Sequence, residues 1–392
     1  MKFKTLLFIV LLFLPVYAEA GENREIERTI ENLDKTKNLI SELNKNLELC
    51  TAQCAIKDDL KKFQAELKKD LNNIKLKELS AKNNYISTQL KQLFKDISTQ
   101  VNSIASNPET IKALKEFSIG WDEMKVNQSA RLQKLYISEN PYRIGQKEKY
   151  DGASNNQSNY TYNDTHLKYH PLFRDFILAN KYYDFLLIDL DGNIIYSVFK
   201  ELDFATNIFG NKLSSPLLQE GINELKNNYP AKKSILIDIH PYPASSNAPM
   251  GYFAVPLEQE NKLIGFLAVG LPIDKIDRLL QPNDDYNHNE YIYALGEKDR
   301  ELKAGHKYLI NKSMYPEFSI IADQKSLMNS DFGERIWPNQ EGKPSLISYR
   351  NFRFDNINWY IMIQLSEEDF NQEICKYDSL SNLLEFCTAS TD

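Results

Sequence analysis

The stretch from Asn23 to about Phe117 has almost no glycine or proline and is rich in Lys, Glu, Leu, Asn and Ile. This composition is typical of helices. Three helices are predicted within it: one with an apolar stripe at Leu33, Ile40, Leu43 and Leu47, one from Asp58 through Leu79, and one from Tyr85 to about Ile104. Ser106 or Asn107, followed by Pro108, then indicates a further helix start, because such residues cap a helix and proline fits its first turn.

Between Tyr182 and Asp277 the apolar pattern changes from helical to strand spacing. Two apolar runs flank Asp191-Gly192, a dipeptide that supplies both positive-φ residues of a two-residue type I′ turn. Three more strands are predicted at residues 234–239, 251–257 and 263–271, with a helical segment at 214–228. Short strands with short connections and one helical crossover predict a single antiparallel sheet with helices on one side.

A weaker second β region comes next. Strand-length runs that are apolar or alternating occupy residues 290–295, 307–311, 318–323, 345–352 and 359–365. A closing helix is predicted from about Ser366 through Phe386. The β part of the chain is therefore duplicated in kind, although no residue-level repeat is evident.

The first 20 residues carry Lys2 and Lys4, an apolar run, and Ala18-Glu19-Ala20 as a small-x-small cleavage site, which together indicate a secretory signal peptide. The alternative is an uncleaved anchor, but the apolar run is shorter than the roughly 20 residues that span a bilayer. A periplasmic or secreted protein with no membrane span after cleavage is therefore expected. The formal charge of −7 has the wrong sign for binding a phosphate backbone, so nucleic acid is not an expected partner.

Four cysteines form two pairs near opposite ends of the mature chain, Cys50 with Cys54 and Cys375 with Cys387. In an oxidising compartment such pairs predict disulfides, with the connectivity left open. A bridge within the first pair could join two helices if their Cα atoms come within disulfide reach. A zinc site is the alternative. It is disfavoured because its sulfur ligands would be split between distant ends and no histidine lies near either pair.

Five sequence blocks, in this order along the chain, resemble the double-Cache extracytoplasmic sensor region of bacterial chemoreceptors and transmembrane signalling enzymes. The blocks are residues 135–145 (LYISENPYRIG), 165–176 (THLKYHPLFRDF), 182–207 (YYDFLLIDLDGNIIYSVFKELDFATN), 238–249 (DIHPYPASSNAP) and 264–277 (IGFLAVGLPIDKID). The resemblance covers roughly Tyr85 to Phe370. In the second module it depends on residues 345–370, which are similar to the closing strands and exit helix of a membrane-proximal Cache unit.

The resemblance implies an α+β fold: long N-terminal helices followed by two PAS-like Cache modules, each an antiparallel sheet with flanking helices and a cavity for a small ligand. The expected organisation is a signal peptide (1–20), a helical extension (21–84), the long Cache helix region (85–125), a membrane-distal module (126–280), a smaller second module (281–370) and a C-terminal helix and tail (371–392). A receptor would continue into a transmembrane segment, whereas this sequence stops at Asp392, so it resembles a sensor separated from its transmitter.

The expected function is that of a non-catalytic sensor, which binds a small molecule without a cofactor and signals its occupancy to a partner. The alternative is a secreted structural or host-facing protein whose N-terminal helical region binds a partner or a second copy. No GxSxG, GxxxxGK[ST] or HExxH motif occurs, which favours binding over catalysis. The IDLDG sequence at 188–192 fits a turn better than a calcium loop, since Lys200 stands where that loop needs a bidentate glutamate.

Candidate ligand residues follow the second strand and occupy the DIHPYPASS loop. Lys200 and Asp203, beside Glu201, would lie near the pocket rim and orient a polar ligand; a structural ion pair among them is the alternative. The loop offers a carboxylate, a phenol and two hydroxyls for ligand contacts or for turn capping. These four residues are Asp238, Tyr242, Ser245 and Ser246. Tyr183 and Tyr196, on the hairpin strands, could line the cavity or fill it.

Amino-acid-sensing members of the resembled family are expected to hold the ligand's ammonium group with an aspartate in the last distal strand, where this sequence has Val269-Gly270-Leu271. Carboxylic acids, purines and polyamines therefore stay open, and Asp203 with Asp238 favours a cation. His166 and His170 have the spacing of helical metal ligands, but Pro171 disfavours a helix at His170 and no third ligand completes a site. A hydrogen-bonding role is expected for both histidines, and no metal.

Overall fold

The computed structural model describes residues 54–152, 161–210, 213, 215–280, 290–299, 301–305, 330–338 and 343–375, with no side-chain description for 54–60 and 373. One helix, α1, runs unbroken from Cys54 to Ala105. The two helices predicted between Asp58 and Ile104 are therefore a single helix, and the helix predicted around residues 33–47 lies outside the described residues. The helix contains no glycine or proline that would interrupt it. The buried Asn83 side chain donates to carbonyl oxygens of the second sheet instead of capping a new helix.

The next helices are shorter than α1 and lead to the first sheet. Helix α2 spans Pro108–Glu123, and the predicted cap is confirmed because the Asn107 side chain accepts from the Glu109 amide at 2.9 Å. Helix α3 spans Gln128–Gln133, and α4 spans Thr161–Asn180. Helix α4 continues through Pro171, so the expectation that this proline disfavours helical geometry at His170 is wrong.

The five strands predicted after Tyr182 are confirmed and form one antiparallel sheet, the sheet of the distal module. Their spatial order is β2-β1-β5-β4-β3, so that β2 and β3 are the edges. Helix α5, Pro216–Asn227, connects β2 to β3. The strands are β1 (Phe185–Ile188), β2 (Ile194–Ser197), β3 (Ile235–Tyr242), β4 (Ala248–Gln259) and β5 (Lys262–Gly270).

Both faces of the distal sheet are covered by helices. Leu187 and Val269 pack in the core that α1, α2 and α4 share, whereas Leu186 and Ile188 face the α5 side. Since α5 buries Leu218, Ile222 and Leu225 against that second face, the prediction of helices on one side is wrong. The strands are short and apolar on both faces, a pattern typical of sheets that are buried on both sides.

The turn between β1 and β2 also differs from its prediction. Gly192 has φ +87°, but Asp191 does not have a positive φ, so this is not a two-residue type I′ turn. The Gly192 amide donates to the Asp189 carbonyl, and the Asp189 side chain accepts from the amides of Asp191 and Asn193. The aspartate side chain thus closes a longer loop in which glycine alone takes the positive φ.

A second antiparallel sheet, that of the second module, has the equivalent order β7-β6-β10-β9-β8. Three of its strands were predicted, whereas β7 and β8 were not, because their sequences are short or interrupted by Gly333 and Pro338. The predicted strands at 307–311 and 318–323 lie outside the described residues. The observed strands are β6 (Glu290–Gly296), β7 (Leu302–Gly305), β8 (Phe332–Pro338), β9 (Pro344–Phe354) and β10 (Ile357–Ser366).

Helix α1 joins the two modules. Its Phe94 ring lies 5.7 Å from the rings of both Phe352 and Trp359, and its Gln100 accepts from the Tyr182 hydroxyl at 2.6 Å. Helix α6, Ile273–Leu280, connects the sheets, and α7, Glu367–Cys375, begins the predicted closing helix. Among the helices of the described ranges, none combines the length and apolar character needed to cross a bilayer.

Candidate ligand site in the distal module

One end of the distal sheet gathers polar side chains from three separate segments. Tyr183 precedes β1, Glu201 and Asp203 follow β2, and Tyr242 and Ser245 lie at the connection of β3 with β4. Because β2 and β3 are the two edge strands, the loops that follow them must fold over the sheet to meet. We call these five residues the carboxylate cluster. Four of them, all except Glu201, were predicted as ligand residues.

Within the carboxylate cluster, neutral hydroxyls donate to the two carboxylates. Glu201 accepts from the Tyr183 hydroxyl at 3.1 Å and from the Ser245 hydroxyl. Asp203 accepts from the Tyr242 hydroxyl, and both of these side chains are buried. A buried carboxylate that receives only neutral donors keeps most of its charge uncompensated.

Asp184 lies beside the carboxylate cluster and was not singled out from the sequence. It accepts from the Ser197 hydroxyl and the Phe185 amide, both at 2.7 Å, and from the amides of Val198 and Phe199. Burial nevertheless raises the pKa of Asp184 to about 7. The available signal was an aspartate directly before an apolar strand, a position where its side chain can bond the backbone of the neighbouring strand.

The carboxylate cluster itself is acidic, although Lys147 interacts electrostatically with Glu201, and Lys200 with Asp184. Burial raises the pKa of Asp203 to about 6, and the Glu201 charge adds to the increase. Over the part of the chain that the structure describes, no lysine or arginine forms an ion pair with Asp184, Glu201 or Asp203. The cluster therefore favours a positively charged group among its neighbours, since that would offset the cost of burying the carboxylates.

The ammonium group of Lys200 lies beside Tyr136 and Tyr196 in the core that α1, α2 and α4 share, whereas Tyr183 and Tyr242 of the carboxylate cluster pack in the core on the α5 side. A positive φ of 54° turns the chain at Lys200, and its Nζ donates to the carbonyls of Ser197 and Val198 at 3.1 Å. It lies 5.5 Å from the centre of the Tyr196 ring and 5.8 Å from that of Tyr136. Burial lowers the pKa of Lys200 to about 7. The alternative of an ion pair with Glu201 or Asp203 is not observed.

Tyr196 is a core residue in the same region. It is fully buried, its ring centre lies 4.7 Å from that of Phe117, and its hydroxyl bonds His170 Nδ1 at 2.6 Å. His170 and His166 stack at 4.4 Å on one face of α4. Burial lowers the pKa of both imidazoles, that of His170 to about 2. His170 thus attaches α4 to Tyr196 of β2. His166 and His170 also attach α4 to the segment that precedes it, through the carbonyls of Asp151 and Glu148.

Asp238 and Ser246 are not members of the carboxylate cluster. Asp238 contacts the second module: it accepts from the Trp359 indole at 2.8 Å and lies 3.6 Å from the Lys303 ammonium. Ser246 is exposed and has φ +56° at the end of a short 3₁₀ turn. Lys303, His240 and Asp277 help to line a cavity of about 60 Å³ between the modules, far below the ~300 Å³ of an ordinary ligand pocket.

Metal and disulfide predictions concern other parts of the chain. In the described residues, no group of three or more His, Cys, Asp or Glu side chains is placed to hold a metal ion. Cys50 and Cys387 lie outside those residues, and the side chain of Cys54 is not described. The disulfides therefore stay a prediction.

The solved structures to which this chain is similar include ligand-binding domains of chemoreceptors and one extracellular domain. The extracellular domain of vpHK1S-Z8 is 13% identical, with a TM-score of 0.48 over 81% of this chain and 99% of that chain. The ligand-binding domain of the Pseudomonas fluorescens chemoreceptor CtaA, in complex with L-isoleucine, is 12% identical, with a TM-score of 0.42 over 79% and 98%. The ligand-binding domain of the Pseudomonas aeruginosa PAO1 amino acid chemoreceptor PctB, in complex with L-Arg, is 16% identical. Its TM-score is 0.37, and the match covers 52% of this chain and 79% of that chain.

The fold of this chain is α+β, with two antiparallel five-stranded sheets joined by a long helix. It has the long helix and the two five-stranded antiparallel sheets, in equivalent strand order, that the resemblance implies. No family model and no curated protein matches the sequence. At these identities and TM-scores, the solved structures identify neither a ligand nor an activity for this chain.

Proposed function

We propose that this chain is a periplasmic or secreted double-Cache sensor that binds a small molecule without transforming it and signals occupancy to a partner protein. One observation supports the proposal most directly. Three segments, distant in sequence, bring two carboxylates and three hydroxyls together at one end of the distal sheet. Polar groups on loops that a rigid sheet positions are typical of binding sites.

The proposed ligand carries a positively charged nitrogen. In the described residues Glu201 accepts from two neutral hydroxyls, Asp203 accepts from a hydroxyl and from backbone amides, and burial has raised the pKa of Asp203. A ligand ammonium between these carboxylates would restore the favourable charge pairing that burial removes. Polyamines and other amines fit this requirement. Asp203 and Glu201 supply the acidic contacts, whereas Asp238, Lys200, Tyr196 and Ser246 are assigned no ligand contact.

Entry of the ligand requires the two loops of the carboxylate cluster to separate. Tyr242 donates to Asp203, and Ser245 donates to Glu201, so these bonds close the space between the loops. A ligand that replaces the two hydroxyls would move the loop after β3. Only a ligand that binds the two arrangements with different affinity can shift the equilibrium between them.

Strand β3 offers a route for the signal to the second module. Tyr242 ends β3, and Asp238, four residues earlier on the same strand, accepts from Trp359 of β10. Lys303 of β7 donates to the carbonyl of Ile239 at 3.0 Å. A displacement of β3 would therefore reach β7 and β10 of the second sheet, and β10 leads directly into α7.

The proposal is tested by calorimetry and thermal unfolding with putrescine, spermidine and L-arginine, and with succinate as the matched anion. We expect at least one amine to raise the melting temperature and Glu201→Gln to weaken its binding by tenfold or more. The control is Glu220→Gln, an exposed glutamate on α5, which should bind like the wild type. If succinate alone stabilised the protein, or if Glu201→Gln bound the amine normally, the assignment would be wrong.

A further inference from the structure

A second opening in the distal module lies away from the carboxylate cluster. This neutral groove is formed where the end of α2 and the start of α3 approach the β1–β2 turn and the loop at residues 205–210. Its volume is about 390 Å³, within the ~300–1,000 Å³ of typical ligand sites, and one side is open to solvent. None of its nine lining residues carries a charge.

One wall of the neutral groove presents polar groups that have no partner in the described part of the protein. Asn127, Gln128 and Ser129 follow each other on this wall, and none of their side chains forms a hydrogen bond there. Asn127 has φ +57° at the start of α3 but does not cap the helix with its side chain. Trp121, whose side chain is 9% exposed, also lines the groove.

The opposite wall is fixed by hydrogen bonds. Asn207 donates to the Asn193 side chain at 3.0 Å and to the Asp191 carbonyl at 2.8 Å. Asn193 in turn donates to the Asp189 side chain at 2.7 Å, and the backbones of Asn193 and Asn207 form an isolated bridge. Thr206, on the same wall, donates to the Asp203 carbonyl. This wall is thus held in place before any ligand arrives.

The chemistry of the lining selects a neutral ligand rich in hydroxyl groups. Amide and hydroxyl side chains both donate and accept, as sugar hydroxyls do, and an indole offers an apolar surface with one donor. A charged ligand would lose hydration without gaining an opposite charge. We infer that the neutral groove binds an uncharged saccharide of one or two rings, independently of the amine proposed for the carboxylate cluster.

The test uses saturation-transfer NMR and calorimetry on the full chain with glucose, N-acetylglucosamine, maltose and chitobiose. Glucuronic acid and glucosamine serve as charged counterparts. We expect at least one neutral sugar to bind and both charged sugars to bind at least tenfold more weakly than their neutral relatives. Absence of binding by every neutral sugar, or equal binding of the charged ones, would overturn the inference.

Two variants locate the binding in the neutral groove. A Cβ at Gly210 would meet no atom within 4 Å, so Gly210→Trp can place an indole in the opening without a clash at its Cβ, and it should abolish binding. Gln128→Ala should weaken binding about fivefold or more. Gln219→Ala is the same change at a half-buried residue on α5, and it should leave sugar binding unchanged. Binding is compared only among variants whose melting temperature equals that of the wild type. Sugar binding that survives Gly210→Trp would refute the site.

Discussion

At the scale of single residues, the loop after β2 separates charges that are neighbours in sequence. Lys200 has a positive φ, and its ammonium is buried among Tyr136, Tyr196 and two backbone carbonyls. Glu201 and Asp203 lie instead with the hydroxyls of the carboxylate cluster. The loop therefore buries acidic and basic groups without pairing them directly, which makes folding stability depend on pH.

The first prediction concerns Asp203, whose pKa burial raises from 3.8 to about 6. The folded protein then binds more protons than the unfolded chain between these values, so stability falls as pH rises from about 4 to 6. Asp203→Asn should remove roughly 3 kcal/mol of this fall, because each tenfold change in an acid constant is worth about 1.4 kcal/mol. Denaturant unfolding at several pH values measures it.

The control for Asp203 is the exposed Asp122, and Asp122→Asn should keep the wild-type slope. Asp184 contributes a slope of the same sign up to about pH 7 and remains in the variant. A slope between pH 4 and 6 that Asp203→Asn leaves intact would contradict the prediction.

Lys200 should produce the opposite trend at higher pH. Burial lowers its pKa from 10.5 to about 7, so the unfolded chain binds more protons between these values and stability rises from pH 7 towards 9.5. Lys200→Met should flatten this rise by on the order of 3 kcal/mol. Lys181→Met is the matched control, since Lys181 also has a positive φ but is exposed. Equal slopes in the two variants would show that Lys200 is not responsible.

At the scale of elements, the β1–β2 hairpin depends on a single glycine. Gly192 has φ +87°, and a Cβ there would come within 2.5 Å of the Phe209 ring. Gly192→Ala should therefore lower the free energy of unfolding by about 1–3 kcal/mol, through backbone strain and displacement of the ring. Gly210→Ala, where an added Cβ meets open space, should change it by less than about 0.5 kcal/mol. Similar melting temperatures for the two variants would argue against this account.

At the scale of the whole molecule, α1 is the common support of both sheets. Asn83 is fully buried on α1 and donates to the carbonyls of Ile361 and Ser348, at 2.9 and 3.2 Å, in the second sheet. Asn83→Ala should cost about 1–3 kcal/mol of stability, because it leaves buried acceptors without this donor. Its neighbour Asn84 is exposed, so Asn84→Ala should be nearly neutral. Equal unfolding free energies for both variants would exclude this role.

The whole-molecule contacts also explain why some sequence predictions failed. Asp238 was expected at the ligand, yet its partners Trp359 and Lys303 are more than 60 positions away along the chain and arrive from another sheet. A loop composition cannot show which module a side chain faces. The predicted break near residue 80 failed for the same reason, since contacts between Asn83 and β9 and β10 stabilise a continuous helix.

The sequence by itself determined the α+β class, the five distal strands and four of the five residues in the carboxylate cluster. Those features depend on local spacing: apolar runs of strand length, a capped helix start, and polar residues directly after strands. Only the tertiary structure decided the direction of Lys200, the joining of two helices into α1, and the contact of Asp238 with the second module. Each of these depends on burial against segments distant in sequence, and burial free energies exceed the local preferences that sequence patterns report.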